Sequence, residues 1–232
     1  MLLARAIACI ILHVALSYAK ITTVATGVGL DPESCSMRTR DSKAAARRAQ
    51  RLTVDAEGLA PSARYIESPN CDERPPDTPI TLAVVHGISL PPGEFGGPGI
   101  IDLFTNRLDA AVHPSYTSVA NLRVSSHFVI RRDGQLLQFV PCTKRAWHAG
   151  VSSWQGRERC NDFSVGIELE GTDAVPYAAA QYRMLARLLK SLYRRYAFRH
   201  VVGHSDIAPG RKTDPGPAFD WQRLAALVKP RR

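Results

Sequence analysis

Cysteine and long apolar segments are both scarce in this chain. The five cysteines are odd in number, widely spaced and never arranged as C-x-x-C, which argues against a disulfide framework and favours a reducing compartment. No compact zinc motif of the H-E-x-x-H type is present. The apolar stretch Met1–Ala19 is short for a membrane span and is interrupted by His13. We therefore expect neither a disulfide scaffold nor stable membrane insertion.

Acidic residues are in the minority, but the excess positive charge lies almost entirely at the two ends. Residues 1–51 hold eight Lys or Arg and three Asp or Glu, and residues 229–232 hold three basic and no acidic side chains. These two segments account for nearly all of the formal net charge of +9. The body between them offers no basic surface that could follow phosphates, so we expect no nucleic-acid partner.

Residues 1–50 differ from the rest of the chain. Met1–Ala19 has one arginine, an apolar run and then small residues, as in a secretory signal peptide. Two interpretations stay open: a signal that would direct the protein to the periplasm, or translated upstream sequence of a cytoplasmic protein. We predict a disordered extension over residues 1–50, one catalytic domain over 51–232 and a cytoplasmic location. A chain of 232 residues with 45% apolar side chains can form such a domain with a real core.

Strand and helix patterns alternate along the domain and predict an α/β fold with a central sheet. Short apolar runs over 81–85 and 164–169 predict buried strands. The segment His127–Val140 predicts a hairpin, in which Asp-Gly favours a two-residue turn with positive φ. Apolar residues at helical spacing predict a long helix over Tyr177–Tyr196, and a last helix is expected over Asp220–Val228.

Five polar residues lie within or just after these strands. His86 ends the first strand, Glu168 lies inside SVGIEL, and His204 precedes Lys212 and Asp214. A catalytic zinc takes three N, O or S ligands and an open position for water, which two imidazoles and the Asp214 carboxylate could supply. Hydrolysis of a poor electrophile also benefits from a base and an oxyanion stabiliser, for which Glu168 and Lys212 are candidates. On spacing alone each residue also has an ordinary structural explanation.

Four long stretches carry a family resemblance: VVHGISLPPGEFGGPGI, LRVSSHFVIRRDG, KRAWHAGVSSWQGRERCNDFSVGIELEGTD and GHSDIAPGRKTDPGPAFDW. Over residues 52–228 the chain resembles the AmpD-type family, the 1,6-anhydro-N-acetylmuramoyl-L-alanine amidases of bacterial cell-wall recycling. The resemblance implies an amidase/peptidoglycan-recognition-like fold with a central mixed sheet flanked by helices. It implies hydrolysis of the lactyl–L-alanine amide in small muropeptides by a zinc amidase domain. Oligomeric state stays open.

Carried over residue by residue, the resemblance also implies the site. One Zn2+ per chain falls on His86, His204 and Asp214. The catalytic glutamate falls on Glu168, and the lysine beside the scissile carbonyl falls on Lys212.

Substrate contacts follow from the same resemblance. Arg123 and Arg159 fall where the resemblance places contacts with the peptide carboxylates, which a planar guanidinium binds well. Trp147 and His148 are expected to line the sugar or peptide groove. The alternatives are two exposed arginines on loops, and a core tryptophan beside a hydrogen-bonded histidine.

Three positions depart from the family pattern. Gly87 stands where an asparagine usually follows the first ligand, Gly99 where a tryptophan is frequent, and Ser115 where an aromatic residue is usual. We therefore expect the substrate affinity or range to differ, but not the metal site. Two other functions stay open: a periplasmic amidase acting on intact peptidoglycan, and a non-catalytic peptidoglycan-binding module.

Overall fold

A six-stranded mixed sheet forms the centre of the fold. The computed structural model describes residues 51–196 and 198–229. The strands of this sheet are β1 Arg64–Tyr65, β3 Leu82–Ile88, β4 Phe128–Ile130, β5 Leu136–Gln138, β9 Ser164–Glu170 and β10 His200–Gly203. Along the sheet they follow the order β1-β5-β4-β9-β3-β10, and every pair is parallel except the antiparallel β4–β5 pair. The expected mixed α/β fold is thereby confirmed.

Among the described residues, two small antiparallel strand pairs and four α-helices accompany the central sheet. The pairs join β2 Cys71–Glu73 with β6 Lys144–Ala146, and β7 Ser153–Trp154 with β8 Arg157–Glu158. The helices are α1 Gly99–Phe104, α2 Ala179–Arg195, α3 His204–Ile207 and α4 Trp221–Val228, with 3₁₀ helices at Pro114–Tyr116 and Cys160–Asp162. The predicted long helix and last helix are thus present, each shorter than predicted by one to three residues.

Strand alternation divides the core between the two faces of the sheet. Phe128 and Ile130 pack into a cluster that contains the apolar face of α2, whereas Val129 between them belongs to a second cluster that contains α1. Such a two-residue period is what a strand buried on both faces produces. In β3 and β9 the same alternation leaves one face for the polar residues of the site.

Helix α2 begins without a serine, threonine or aspartate cap. Its first turn is instead held by Gln181, whose side-chain oxygen accepts from Ala178 N at 2.9 Å. The Gln181 amide nitrogen donates to the carbonyls of Ile130 and Glu170 at 3.1 and 3.0 Å. Because those carbonyls end β4 and β9, this buried side chain fixes the helix to the end of the sheet.

The predicted hairpin is present, but its turn has three residues rather than two. Arg131 N donates to Gln135 O at 2.9 Å, and Gly134 N donates to Arg131 O at 2.9 Å. Only Gly134 in this turn has positive φ, at 90°. The two-residue prediction was wrong because an Asp-Gly pair also fits a type I turn that is followed by one left-handed glycine.

A partly buried arginine ties the N-terminal loop of the domain to its interior. The Arg74 guanidinium donates to four backbone carbonyls, those of Cys142, Asn161, Asp162 and Ser164, at 2.8–3.1 Å. Burial is the largest cause that lowers the pKa of Arg74, to about 10. The side chain therefore remains charged at neutral pH.

Three expectations concern the N-terminal extension, the cysteines and membrane insertion. The predicted disordered extension 1–50 lies outside the described residues. Among the described residues, Cys71, Cys142 and Cys160 are free thiols. No helix within 51–196 or 198–229 combines the length and apolar character needed to cross a membrane.

Candidate active site

Three adjacent parallel strands bring the candidate residues to one edge of the sheet. Strand β3 lies between β9 and β10, so the carboxyl ends of all three strands meet at this edge. His86 of β3 is directly paired in register with Glu168 of β9. His204 follows the last residue of β10 at once. Polar residues at the carboxyl ends of parallel strands occupy the position where α/β sheets commonly bind ligands.

His86, His204 and Asp214 form a compact cluster at the carboxyl-end side of these strands, with His86 two residues before the end of β3. His86 Nδ1 lies 3.0 Å from His204 Nδ1 and 3.2 Å from Asp214 Oδ2, and His204 Nδ1 lies 3.1 Å from the same oxygen. Both histidines are buried, and Asp214 is half-buried. Within the described residues, this is the group whose ligand atoms could hold a metal ion.

The hydrogen bonds around this cluster suit a cation at its centre. His204 Nε2 lies 3.2 Å from the carbonyl of Ala149, which can only accept, so the ring proton belongs on Nε2. Burial lowers the pKa of His86 to about 4, so this ring carries one proton at neutral pH. Three electron-pair donors thus converge with at most one proton among them. Two imidazoles and a carboxylate are a donor set that zinc accepts.

Glu168 lies buried beside the cluster. Its Oε1 is 3.9 Å from His86 Nδ1, and the residue is 7% exposed. Burial, followed by the charge of Asp214, raises the pKa of Glu168 well above its ordinary value, while the charge of Lys212 lowers it. The Lys212 side chain itself is exposed. A desolvated carboxyl of this kind can both accept and return a proton.

Two of the predicted substrate residues are connected through one charged network. Trp147 Nε1 donates to Asp72 Oδ1 at 3.2 Å, and Arg145 binds the same carboxylate through Nε at 2.7 Å. Arg145 also donates to Asp162, whose other oxygen lies 3.3 Å from Arg159 Nε. The Arg159 side chain is 70% exposed. An aromatic ring and an accessible guanidinium are thereby held on the same framework.

The other two predicted substrate residues lie in different surroundings. Arg123 is exposed, in the segment before β4. His148 is buried, and its Nδ1 lies 2.9 Å from His86 Nε2. Ser115, one of the departures from the family pattern, lies in the short 3₁₀ helix Pro114–Tyr116, and its backbone N–H donates to His113 Nδ1. The structure thus places His148 behind the cluster of candidate metal ligands.

Close packing accounts for two of the departures from the family pattern. A Cβ atom at Gly87 would lie 2.3 Å from the hydroxyl oxygen of Tyr177, which donates to Pro215 O at 2.9 Å. A Cβ atom at Gly99 would lie 2.5 Å from Leu90 O. Neither position has room for a side chain while its neighbours stay in place.

Several residues that shape the site carry no recognisable signal in the sequence. Asp72, Arg145 and Asp162 act through contacts between distant segments, which no local pattern reveals. Glu170 lies two residues after Glu168 in β9 and therefore on the same face of the strand. Its hydrogen-bond partners are not evident from that period: Oε1 accepts from Arg131 Nη1 and Gly96 N, both at 2.7 Å, and Oε2 accepts from the backbone N–H of the residue after Arg131 at 3.2 Å.

Comparison with known proteins agrees with this fold. Residues 76–217 match the family described as N-acetylmuramoyl-L-alanine amidase. The 1,6-anhydro-N-acetylmuramyl-L-alanine amidase AmpD of Citrobacter freundii is 58% identical over 176 residues, which cover 75% of this chain and 94% of the relative. AmpD of Escherichia coli K12 is 58% identical over 174 residues, covering 74% and 95%.

A solved structure extends the comparison to three dimensions. The crystal structure of a selenomethionine AmpD derivative is 58% identical and covers 77% of this chain and all of its own, with a TM-score of 0.75. The chain belongs to the N-acetylmuramoyl-L-alanine amidase family. It is an amide hydrolase. The family is the one that the four stretches quoted in the sequence analysis indicated.

Proposed function

We propose that this amidase hydrolyses the amide between the lactyl group and L-alanine of 1,6-anhydro-muropeptides, in cytoplasmic peptidoglycan recycling. The observation that carries the proposal is the convergence of His86, His204 and Asp214 beside buried Glu168. The substrate comes from relatives named 1,6-anhydro-N-acetylmuramyl-L-alanine amidase, 94–95% of whose length this chain covers at 58% identity.

One zinc ion per chain would be held by His86, His204 and Asp214. Zinc in such a site supplies Lewis acidity, which lowers the pKa of water and polarises a carbonyl group. The three side chains contribute two neutral nitrogens and one negative charge, so the filled site keeps a net positive charge.

The chain's own residues then manage the proton and the developing charge. Glu168 accepts the proton of the attacking water and returns it to the leaving alanine nitrogen, a role that its desolvated carboxyl suits. Lys212 places a positive charge near Glu168 and, in this proposal, near the carbonyl oxygen as it becomes negative. Arg123, Arg159 and Trp147 are assigned to the peptide and the sugar.

A product assay with metal exchange tests the reaction and the metal together. Purified protein is incubated with anhydromuramoyl-tripeptide, and free tripeptide is measured by mass spectrometry before chelation, after chelation and after zinc is restored. We expect release that disappears on chelation and returns with zinc.

Two control substrates separate the alternatives. Intact peptidoglycan and the muropeptide with a reducing sugar are assayed at the same amide concentration. Faster cleavage of intact peptidoglycan would contradict the recycling assignment but not the amidase assignment. Binding of all three without release, by folded and zinc-loaded protein, would support a non-catalytic module.

A further inference from the structure

A buried histidine contacts His86, one of the three candidate metal ligands, directly. His148 Nδ1 lies 2.9 Å from His86 Nε2, and His148 Nε2 lies 3.1 Å from Ser164 Oγ. The two imidazole rings meet edge to face, with centroids 5.0 Å apart and an angle of 86° between their planes. The three side chains thus form a chain of contacts that runs from the cluster into the interior.

The direction of these hydrogen bonds decides which ring nitrogen of His86 keeps a lone pair for a metal ion. A neutral imidazole donates through one nitrogen and accepts through the other. If His86 Nε2 donates to His148 Nδ1, the lone pair of His86 remains on Nδ1, the atom that faces His204 and Asp214. His148 then donates through Nε2 to the Ser164 hydroxyl. In this arrangement the lone pair on His86 Nδ1 faces two further electron-pair donors, His204 Nδ1 and Asp214 Oδ2, as a metal site requires.

The position of His148 is fixed by contacts that are independent of any metal. Its backbone N–H, and that of the residue after it, donate to the side-chain oxygen of Asn161 at 3.1 and 2.8 Å. The ring lies against Gly166 of β9, where a Cβ atom would be 2.5 Å from His148 Cγ. Only glycine at this strand position leaves room for the ring. The acceptor that faces His86 is therefore held in place before a metal arrives.

We propose that His148 is a positioning residue that fixes the rotation and the tautomer of His86, so that His86 Nδ1 faces the metal. The inference rests on the proposed zinc site. Ligand histidines commonly donate their second ring nitrogen to a neighbouring acceptor, and loss of that acceptor typically weakens metal affinity about 10- to 100-fold. His148 supplies an imidazole nitrogen as this acceptor, and the Ser164 hydroxyl can accept from its other ring nitrogen.

Two substitutions of nearly equal shape separate the acceptor from the packing. His148→Asn can place its side-chain oxygen near the position of Nδ1, whereas His148→Leu fills a similar space without an acceptor. The zinc dissociation constant of each folded protein is measured by competition with a chromophoric chelator, together with the wild type. We expect His148→Leu to bind zinc about 10- to 100-fold more weakly than the wild type. His148→Asn should recover most of that loss.

Two further variants complete the test. His127→Asn alters another buried histidine, which accepts from Gly166 N and contacts Lys144 O. Its ring packs against that of His148 rather than against a candidate ligand. The zinc affinity of this variant should stay close to that of the wild type. Ser164→Ala should weaken zinc binding less than His148→Leu does, and it gives a second readout if the leucine variant does not fold.

The outcomes distinguish this inference from the proposed function. Equal zinc affinity of wild type, His148→Leu and Ser164→Ala would overturn the positioning role and leave the proposed function intact. Equal weakening in His148→Asn and His148→Leu would also overturn it, because packing rather than the acceptor would then be responsible. A wild-type protein that binds no zinc would overturn the proposed function itself, and the positioning role with it.

Discussion

At the scale of single residues, the space beside the first candidate ligand is shared between Gly87 and Tyr177. The tyrosine hydroxyl lies where a side chain at position 87 would begin, and it donates to the carbonyl next to Asp214. Gly87 therefore lets Tyr177 hold the loop that carries the third candidate ligand. The departure from the family pattern is compensated by a neighbour rather than left as an empty space.

This compensation predicts that the effect of a side chain at Gly87 depends on the tyrosine hydroxyl. Gly87→Ala should lower the free energy of unfolding by about 2 kcal/mol, because the added carbon overlaps the hydroxyl oxygen. In a Tyr177→Phe background the same change should cost less than about 1 kcal/mol, since the ring carbon that bears the hydroxyl lies 3.6 Å from the added carbon. Urea unfolding of the four proteins measures the coupling, and equal costs in both backgrounds would contradict it.

At the scale of elements, strand β9 carries two buried glutamates with opposite tasks on one face. Glu168 faces the cluster, and no hydrogen-bond donor to its carboxylate is found in the described residues. The Glu170 carboxylate, in contrast, accepts three hydrogen bonds, from Arg131 Nη1, from Gly96 N and from the backbone N–H that follows Arg131. Through Gly96 this carboxylate fixes the glycine- and proline-rich loop after β3 to the end of the sheet.

Matched amide substitutions should separate these two tasks. Glu168→Gln should reduce kcat by about 10²- to 10⁴-fold, because the proposed proton carrier is lost. Zinc content and stability should be kept, because the substitution removes a buried ionisable group that has no hydrogen-bond donor in the described residues. Glu170→Gln should lower the free energy of unfolding by roughly 3–5 kcal/mol, since its new N–H group meets donors and Arg131 loses its counter-charge. Thermal unfolding, metal analysis and turnover are measured for both variants. A stable Glu170→Gln protein, or an active Glu168→Gln protein, would reject the division.

Local patterns predicted the elements that have a strong period, and they missed those that do not. β3, β9 and α2 were predictable because apolar side chains repeat along seven or more residues. The β2–β6 and β7–β8 pairs have two or three residues per strand, too few for a period. The hairpin turn was missed because Asp-Gly fits more than one turn type.

The candidate site was predictable to a similar, limited degree. The candidate ligands could be proposed because His and Asp follow strands at the edge where parallel strands end, and the structure brings them together. Their chemical roles remain predictions. The place of His148 behind the cluster depends on Gly166, which lies on another strand, and the network around Trp147 joins segments that are far apart in sequence.

At the scale of the whole molecule, the interior keeps several ionisable groups neutral. Burial lowers the pKa of His127 and His148 well below the ordinary histidine value, and it raises the pKa of the Cys142 thiol to about 12. Each such group makes the stability of the fold depend on pH. For the thiol the folded protein retains a proton that the unfolded chain releases near pH 9.0. Its contribution is therefore complete below pH 9 and is lost as the pH rises towards 12.

Replacing Cys142 should flatten the alkaline limb of the stability curve. In the wild type the free energy of unfolding should fall above pH 9 by an additional amount of about 1.4 kcal/mol per pH unit from this one thiol. Cys142→Ala removes the titrating group, so the difference between the two proteins should shrink as the pH rises from 9 to 10.5. Urea midpoints at fixed pH values give the comparison. Two curves that stay parallel over this range would show that the thiol titrates equally in both states.

The position of Arg74 has a consequence for where this domain can be cut. The match to the amidase family begins at Pro76, two residues after the guanidinium that binds four interior carbonyls. A fragment trimmed to residues 76–217 would lose that guanidinium and would also lose β1, which covers the outer edge of β5. It would leave bare carbonyls inside and an open strand outside, a combination that favours aggregation. The stretch that the family model matches therefore leaves out two parts of the structure, the Arg74 anchor and the edge strand β1.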